Sequence, residues 1–284
     1  MSLPSATAGW IPPERVTTRL RVLTWNVWWR FGPWEARQPA ILETLRRVDP
    51  DVICLQEVWE TRDGESQPRS LAEELGYHYV AAAGLGLDVA PESMGNAVLS
   101  RWPIAGGKAA ALPAPKGLDE MRVILRADID GPRGPLQVFC THLNWRLDQS
   151  HVRQQQVATA CQYIGSTHDR REYPPILCGD MNAEPDSAEM RQLTGLAAVP
   201  TEKLVFLDAW RVAGDGGPGW TWSRLNPFAA GYPEPDRRID YVLAGYPQGE
   251  GARGEILSAR VEGVAPVDDV QPSDHYAVCA ELRY

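Results

Sequence analysis

The sequence predicts an α/β protein in which two mixed β-sheets are flanked by helices, and three observations carry that expectation. Short β-branched and apolar runs bounded by Gly, Pro, Asp or Asn recur from Leu20 to the C-terminus, as strands do. Helical patterns separate some of these runs while others follow one another directly, so a strict βαβ repeat does not fit. Several runs are apolar on both faces, as expected of strands covered on each side by another layer.

In order, the predicted strands are LRVLTW from Leu20, DVICLQ from Asp51, GNAVLS from Gly95 and RVILRADI from Arg122, then PLQVFCTHL from Pro135, PILCGD from Pro175, RIDYVL from Arg238 and HYAVCAEL from His275. Helical patterns cover Trp34 to Val48, Pro68 to Leu75, Gln149 to Ile164 and Ser187 to Leu193. In the third, Val152, Gln156, Thr159 and Tyr163 share one side, which leaves Arg153, Gln154 and Gln155 to decorate the turn next to THLNW. Gly214 to Gly219 and Asn226 to Pro235 read as loops, the second opening onto RIDYVL where a binding loop would be useful. Asn226-Pro227 is a turn signal within it.

The chain has 284 residues, 44% hydrophobic and 23% charged, which is ordinary for a globular protein with a sizeable core. Large two-sheet folds reach this length around one core, so residues 19–284 are expected to form a single domain. Residues 1–18, rich in Pro, Ser and Thr, read as a loosely ordered leader. A formal charge of -9 argues against a protein that grips nucleic acid through a broadly basic surface. It does not exclude a nuclease, because a metal ion and a few local arginines supply the field that one phosphate needs.

Five cysteines without CxxC spacing are neither a zinc pattern nor a disulfide framework, and those in VICLQ, VFCTH, ILCGD and AVCAEL read as small apolar core residues. The first twenty residues lack a charged segment followed by an apolar run, and nowhere do about 18 apolar residues run together. The expectation is a cytoplasmic monomer without stable membrane association.

The chemistry sits at strand ends. Asn26 follows LRVLTW, Glu57 ends DVICLQ, His142 ends VFCT, Asp180 and Asn182 follow PILCG, Asp240 lies in RRIDYVL, and Asp274 and His275 open the last strand. One strand-end Asp is an ordinary turn former; six strands ending this way gather a site on a sheet rim. Carboxylates, amides and water are oxygen donors suited to Mg²⁺ or Mn²⁺, with Glu57 and Asp274 as charged ligands and Asn26 adding a neutral oxygen or ordering a metal-bound water. Trp28, Trp29 and Trp145 either stack on substrate or pack internally. Arg237 and Arg238 precede Asp240, and Arg238 is the expected phosphate contact because it would share the strand face of Asp240.

In the order TWNVW, LQEV, GNAVLSR, THLNW, GDMNAEP, RRIDYVL and PSDHYAV, these segments resemble the signatures of the endonuclease/exonuclease/phosphatase superfamily over about nine tenths of the chain. The resemblance implies a four-layered αββα sandwich, deoxyribonuclease I-like, and hydrolysis of phosphoesters with Mg²⁺. It also implies roles. Glu57, Asn26 and Asp274 would hold metal; Asp180 would orient and deprotonate the attacking water with Asn182 beside it; His275, held by Asp240, would donate to the phosphoryl oxygens; His142 would contact the same phosphate. Asn144, Trp145 and Arg238 would bind substrate.

Abasic-site endonucleases of this superfamily carry an acidic residue where this chain has Trp28 and a tyrosine where it has His142. Both departures point toward the histidine-bearing nuclease and sphingomyelinase-like members. Phosphodiesters, nucleic acid included, are the expected substrates, because no Lys/Arg-dense cluster is present for an inositol polyphosphate. Phosphomonoesters and a sphingomyelinase-like lipid diesterase are the enzymatic alternatives, although no basic amphipathic docking segment is visible. A non-catalytic binding protein on the same fold is the alternative of another class, and it predicts the loss of motif residues that are all present here.

Overall fold

A computed structural model of the protein describes residues 18–85, 91–115, 121–168, 173–247 and 252–284. The expected leader, Thr18 excepted, lies outside the described residues. The first half runs β1 (Arg19–Asn26), α1 (Trp34–Val48), β2 (Val52–Val58), α2 (Gln67–Leu75), β3 (His78–Leu85), β4 (Met94–Ser100), β5 (Ile104–Ala111) and β6 (Val123–Gly131). The second half runs β7 (Gly134–His142), α3 (Ser150–Thr167), β8 (Ile176–Asp180), α4 (Ala188–Leu193), β9 (Phe206–Asp208), α5 (Ala209–Ala213), β10 (Asp240–Gly245), β11 (Ile256–Glu262) and β12 (Ala277–Arg283).

Among the described residues, twelve strands form two six-stranded sheets, in the orders β11-β12-β1-β2-β4-β3 and β5-β6-β7-β8-β10-β9. Each contains one parallel pair, β1 with β2 and β7 with β8, among antiparallel ones. Alternation along each strand sends side chains to two apolar layers. Val22, Cys54, Val138 and Val278 point into the space between the sheets. On the outer faces, Leu23, Ile53 and Leu99 pack with Ile41 and Leu45 of α1, while Phe139, Leu177 and Leu243 pack with Val157 and Ile164 of α3. Helix, sheet, sheet and helix make the four layers.

Local chemistry sets the helix ends. The Ser66 hydroxyl accepts from the Arg69 amide at the start of α2, which stops at Gly76 in the left-handed region, the usual signals for both ends. Between β7 and β8 the chains approach so closely that a Cβ on Gly179 would lie 1.9 Å from the Thr141 carbonyl oxygen. Only glycine fits there, and the GDMN segment is thereby held against the THL segment.

Four strands, β3, β5, β9 and β11, go beyond the eight expected. β5 reads IAGGKAAA, with no β-branched residue after its first position, and pairs only with β6 at the sheet edge. Arg153 meets the turn it was expected to decorate: buried in α3, its guanidinium donates to Glu189 Oε1 at 2.9 Å and to the carbonyls of Asn144 and Arg146. All five cysteines are buried and free. No helix among the described residues is long and apolar enough to cross a membrane.

Candidate active site

The strand pairings align these residues on one rim of the sandwich. Asn26 pairs with Gln56 across the parallel β1 and β2, His142 with Asp180 across the parallel β7 and β8, and Asp240, at the start of β10, with Asp180 across the antiparallel β10 and β8. At Glu57 the β2–β4 register slips and φ is +56°, a bulge that re-aims the side chain. Asn182 (φ +48°) and Trp28 (φ +57°) are left-handed too. Such backbones cost on the order of 1–3 kcal/mol each outside glycine and gather at functional sites.

These residues open onto a cavity of about 590 Å³ lined by Glu57, His142, Asp180, Asn182, Asp274 and His275, a size suited to a small ligand. Asp180 is its centre. The Asn26 amide donates to Asp180 Oδ2 at 3.1 Å and to Glu57 Oε1 at 3.0 Å, and the Asn182 backbone amide donates to Asp180 Oδ1 at 2.9 Å. His142 Nε2 and His275 Nε2 stand 3.4 and 3.8 Å from Asp180 Oδ2. His275 Nδ1 meets Asp240 Oδ2 at 2.9 Å, and the His275 carbonyl accepts from the Trp25 indole at 2.9 Å.

Charge states follow from these contacts. Burial alone would lower the His275 pKa, but the carboxylates of Asp240, Asp274 and Asp180 outweigh it and raise it well above the ordinary imidazole value. Burial and the Arg122 guanidinium drive His142 the other way, down to about 3. Arg122 Nη1 lies 2.8 Å from His142 Nδ1, and a guanidinium has only protons to offer, so the ring is neutral and accepts there. Burial opposes ionisation of Asp180, yet the imidazoles and the bonds from Asn26 and Asn182 hold its pKa below the ordinary value. With His142 neutral, His275 supplies the charge.

Glu57 and Asp274 are placed differently. Burial raises the Glu57 pKa against the Asn26 hydrogen bond. Burial pushes Asp274 up to about 7, opposed by His275 and reinforced by the Glu57 charge. Two carboxylates on the wall of one cavity offer the oxygen donors that suit a hard cation. Among the described residues, Asp180, Asp240 and His275 hold possible metal-ligand atoms all within 4.8 Å of one another, and these atoms are also engaged among themselves.

Two expected contacts take other positions. The Asn26 oxygen accepts from the Trp28 amide at 3.0 Å, so the side chain presents its nitrogen, not its oxygen, to the carboxylates. Arg238 pairs with Asp208 at 2.8 Å and stacks on Tyr241, while Arg237 lines the cavity. β10 begins only at Asp240, so strand alternation does not reach back to Arg238. Asn144 is buried, its side-chain oxygen accepting from the Arg146 amide at 3.2 Å, and it shapes the loop that exposes Trp145 to the cavity. Trp145 is half-exposed and lines the cavity, as does Trp28, whereas the Trp29 indole donates to the Ser93 carbonyl at 2.8 Å.

Arg122, Trp222, Tyr232 and Glu234 also line the cavity. Tyr232 and Glu234 lie in the loop expected to open onto RIDYVL, though neither was singled out there; Arg122 opens a predicted strand and Trp222 lies outside every motif, so neither was foreseen. The loop after Ser223 is tied down by Asn226, which is buried and donates to the Ser273 carbonyl at 2.8 Å; Phe228 then packs on Trp28 with ring centroids 4.7 Å apart. Arg37 did leave a signal, an arginine on the buried stripe of α1 with Ala40, Ile41 and Thr44. Its guanidinium donates to the carbonyls of Val27, Trp28, Trp29, Phe31 and Pro272 and so locks together the loops bearing Trp28 and Asp274.

A four-layered sandwich of the deoxyribonuclease I-like type, with carboxylates and imidazoles gathered on one rim, is the class these observations define. The chain belongs to the Endonuclease/Exonuclease/phosphatase family, whose model matches residues 23–275. Among curated proteins it is 29% identical over 163 residues to Protein angel homolog 2 of Bos taurus, covering 54% of this chain and 30% of that protein. It is 27% identical over 184 residues to the protein YbhP of Escherichia coli, covering 61% of this chain and 70% of that one. The chain thus spans under a third of the angel homolog. Among solved structures, the endonuclease/exonuclease/phosphatase of Beutenbergia cavernae aligns with a TM-score of 0.68 at 27% identity, over 94% of this chain and 72% of that one. The TDP2 of D. rerio aligns with a TM-score of 0.73 at 18% identity, over 94% and 100%.

Proposed function

We propose that this protein hydrolyses phosphoesters, phosphodiesters foremost, with the aid of a hard divalent cation such as Mg²⁺, Mn²⁺ being the alternative. The observation that carries the reading is the placement of Asp180 Oδ2, reached by Asn26, His142 and His275 within 3.1 to 3.8 Å on the wall of one cavity.

Phosphoryl transfer needs an oriented nucleophile and relief of charge on the phosphoryl oxygens. Ionised Asp180 accepts the proton of the attacking water, with Asn182 fixing that carboxylate through its backbone amide. His275 donates from Nε2 to a phosphoryl oxygen while Asp240 holds Nδ1. His142 stays neutral and polar beside the same oxygens, steadied by Arg122. Glu57 and Asp274 hold the cation, with Asn26 spacing Glu57 from Asp180. When bound, the cation adds positive charge beside the phosphoryl oxygens and lowers the proton affinity of nearby water.

Nucleic acid enters as a substrate class by analogy of fold alone: the D. rerio TDP2 structure is complexed with single strand DNA product. An acidic chain lacks long-range attraction for a polyanion, so affinity for nucleic acid should be modest and indifferent to sequence. The test is a panel of bis-p-nitrophenyl phosphate, p-nitrophenyl phosphate, single- and double-stranded DNA, RNA, sphingomyelin and an inositol polyphosphate, each with Mg²⁺ and with EDTA. Mg²⁺-dependent cleavage of a diester is expected. If only monoesters or the inositol compound are cleaved, the diester preference is wrong; if nothing is, the enzymatic reading fails.

A further inference from the structure

Arg37 is fully buried in α1, yet its guanidinium meets carbonyls where a buried arginine ordinarily meets a carboxylate. Nη1 donates to the carbonyls of Val27 and Pro272 at 2.8 and 3.0 Å, and Nη2 to those of Trp28, Trp29 and Phe31 at 2.9 to 3.0 Å. The charges that partly offset its burial belong to Asp274 and Glu57. A lysine could not stand in for it, because an ammonium is a compact charge with three donors and lacks the planar fork that reaches so many acceptors.

The loop that Arg37 holds is strained, with φ of +57° at Trp28 and +36° at Trp29, backbones that persist only where the surroundings over-determine them. It also supports the site. The Trp29 amide donates to the Glu57 carbonyl at 3.0 Å, and the Trp28 amide to the Asn26 side-chain oxygen at 3.0 Å, which leaves the Asn26 nitrogen to Glu57. Pro272 stands two residues before Asp274. Glu57 lies on β2 and Asp274 leads into β12, the two neighbours of β1, so one guanidinium ties the backbone behind both carboxylates.

Resting on the reading of Glu57 and Asp274 as the cation seat, we infer that Arg37 is the positioning residue of that seat, fixing the separation of the two carboxylates through the backbone of Trp29 and Pro272. A fixed separation selects by size. Mg²⁺ demands near-ideal geometry at short distance, whereas Ca²⁺ accepts longer and more varied coordination. Release of the tie should therefore cost Mg²⁺ affinity and spare Ca²⁺, although Arg37 itself is not on the cavity wall.

Calorimetric titration of metal-free protein with Mg²⁺ and with Ca²⁺ separates this from a merely structural role. R37K keeps the charge and loses the fork; it should weaken Mg²⁺ by about 10–100-fold, as loss of a residue behind a ligand does, and Ca²⁺ by less than about threefold. I41V loosens the packing of the same helix on the sheet and should leave the ratio of Mg²⁺ to Ca²⁺ affinity unchanged. G32A acts on the loop from its solvent side, where a Cβ would lie 2.7 Å from the Trp28 ring. It should lower the ratio in the same direction, and it decides in place of R37K if R37K does not fold. A ratio unchanged in the deciding variant, or lowered as much by I41V, overturns the inference. E57Q tells that failure from failure of the reading beneath it. If E57Q weakens Mg²⁺ while the deciding variant does not, the seat stands and only the role of Arg37 falls; if E57Q has no effect, the seat and the inference fall together.

Discussion

The two halves of the site solve opposite electrostatic problems. On the β8–β10–β12 side, Asp180, Asp240 and His275 meet through contacts of 2.9 and 3.8 Å, and the imidazole charge is held by the carboxylates around it, although burial still raises the Asp240 pKa. On the β2 side, Glu57 and Asp274 face the cavity with raised pKa values; Arg37 lies behind them, but its five hydrogen bonds go to backbone carbonyls. In the proposed reaction the first cluster moves protons and the second pair holds the cation.

The largest effects should break the first cluster. D180N should lower kcat on a diester by about 10³-fold or more, and H275A should act comparably, as removal of a base or a charge-stabilising donor does. D240N should be milder than H275A, and the double variant hardly worse than H275A alone. Additive losses would show that Asp240 acts other than through the imidazole.

A second comparison sets the halves against each other. E57Q should weaken Mg²⁺ binding by about 10–100-fold, measured by calorimetry. In EDTA it should unfold no earlier than the parent, because it removes a charge that metal-free protein does not want. D240N leaves a buried imidazolium short of its partner and should cost about 1–3 kcal/mol in the same buffer. Equal destabilisation by both would erase the contrast.

What the sequence disclosed and what it withheld divide along a similar line. Glu57, His142, Asp180 and His275 were legible because an apolar run ending in an ionisable side chain is a one-dimensional pattern, and the strands that carry them are core strands with β-branched residues. Tyr232, Glu234 and Arg122 reach the cavity from loops, where position depends on tertiary ties such as Asn226 to Ser273. β5, small and at an edge, lacks the side chains that advertise a strand. Arg238 was misread because strand alternation was extended past the residue where β10 starts.

The smallest effect is a pH trend. In metal-free protein Asp274 titrates at about 7, against an ordinary carboxyl value near ~4. Between these pH values the folded state holds a proton that the unfolded chain has lost, so the contribution of Asp274 to stability should fall as pH rises through that window and level off above it. Glu57 adds in the same direction. Asp180, whose pKa is lowered, acts only at more acidic pH, and His275 contributes only above the unfolded imidazole range. His142, held down at about 3, acts in the opposite sense below the unfolded imidazole value near ~6.5, because the unfolded chain binds a proton there that the folded ring refuses. The carboxyl contribution is therefore read against D274N: from pH 4.5 to 6.5 in EDTA the melting temperature of the parent should fall relative to that of D274N, and a constant difference would mean that Asp274 is ionised throughout.

The most direct measurement is hydrolysis of bis-p-nitrophenyl phosphate by protein stripped of metal, followed by titration of Mg²⁺ into the same sample. The account predicts no turnover in chelator and recovery that tracks occupancy of the Glu57–Asp274 seat, shifted to higher Mg²⁺ in E57Q. Full turnover in EDTA, or recovery indifferent to E57Q, would contradict it.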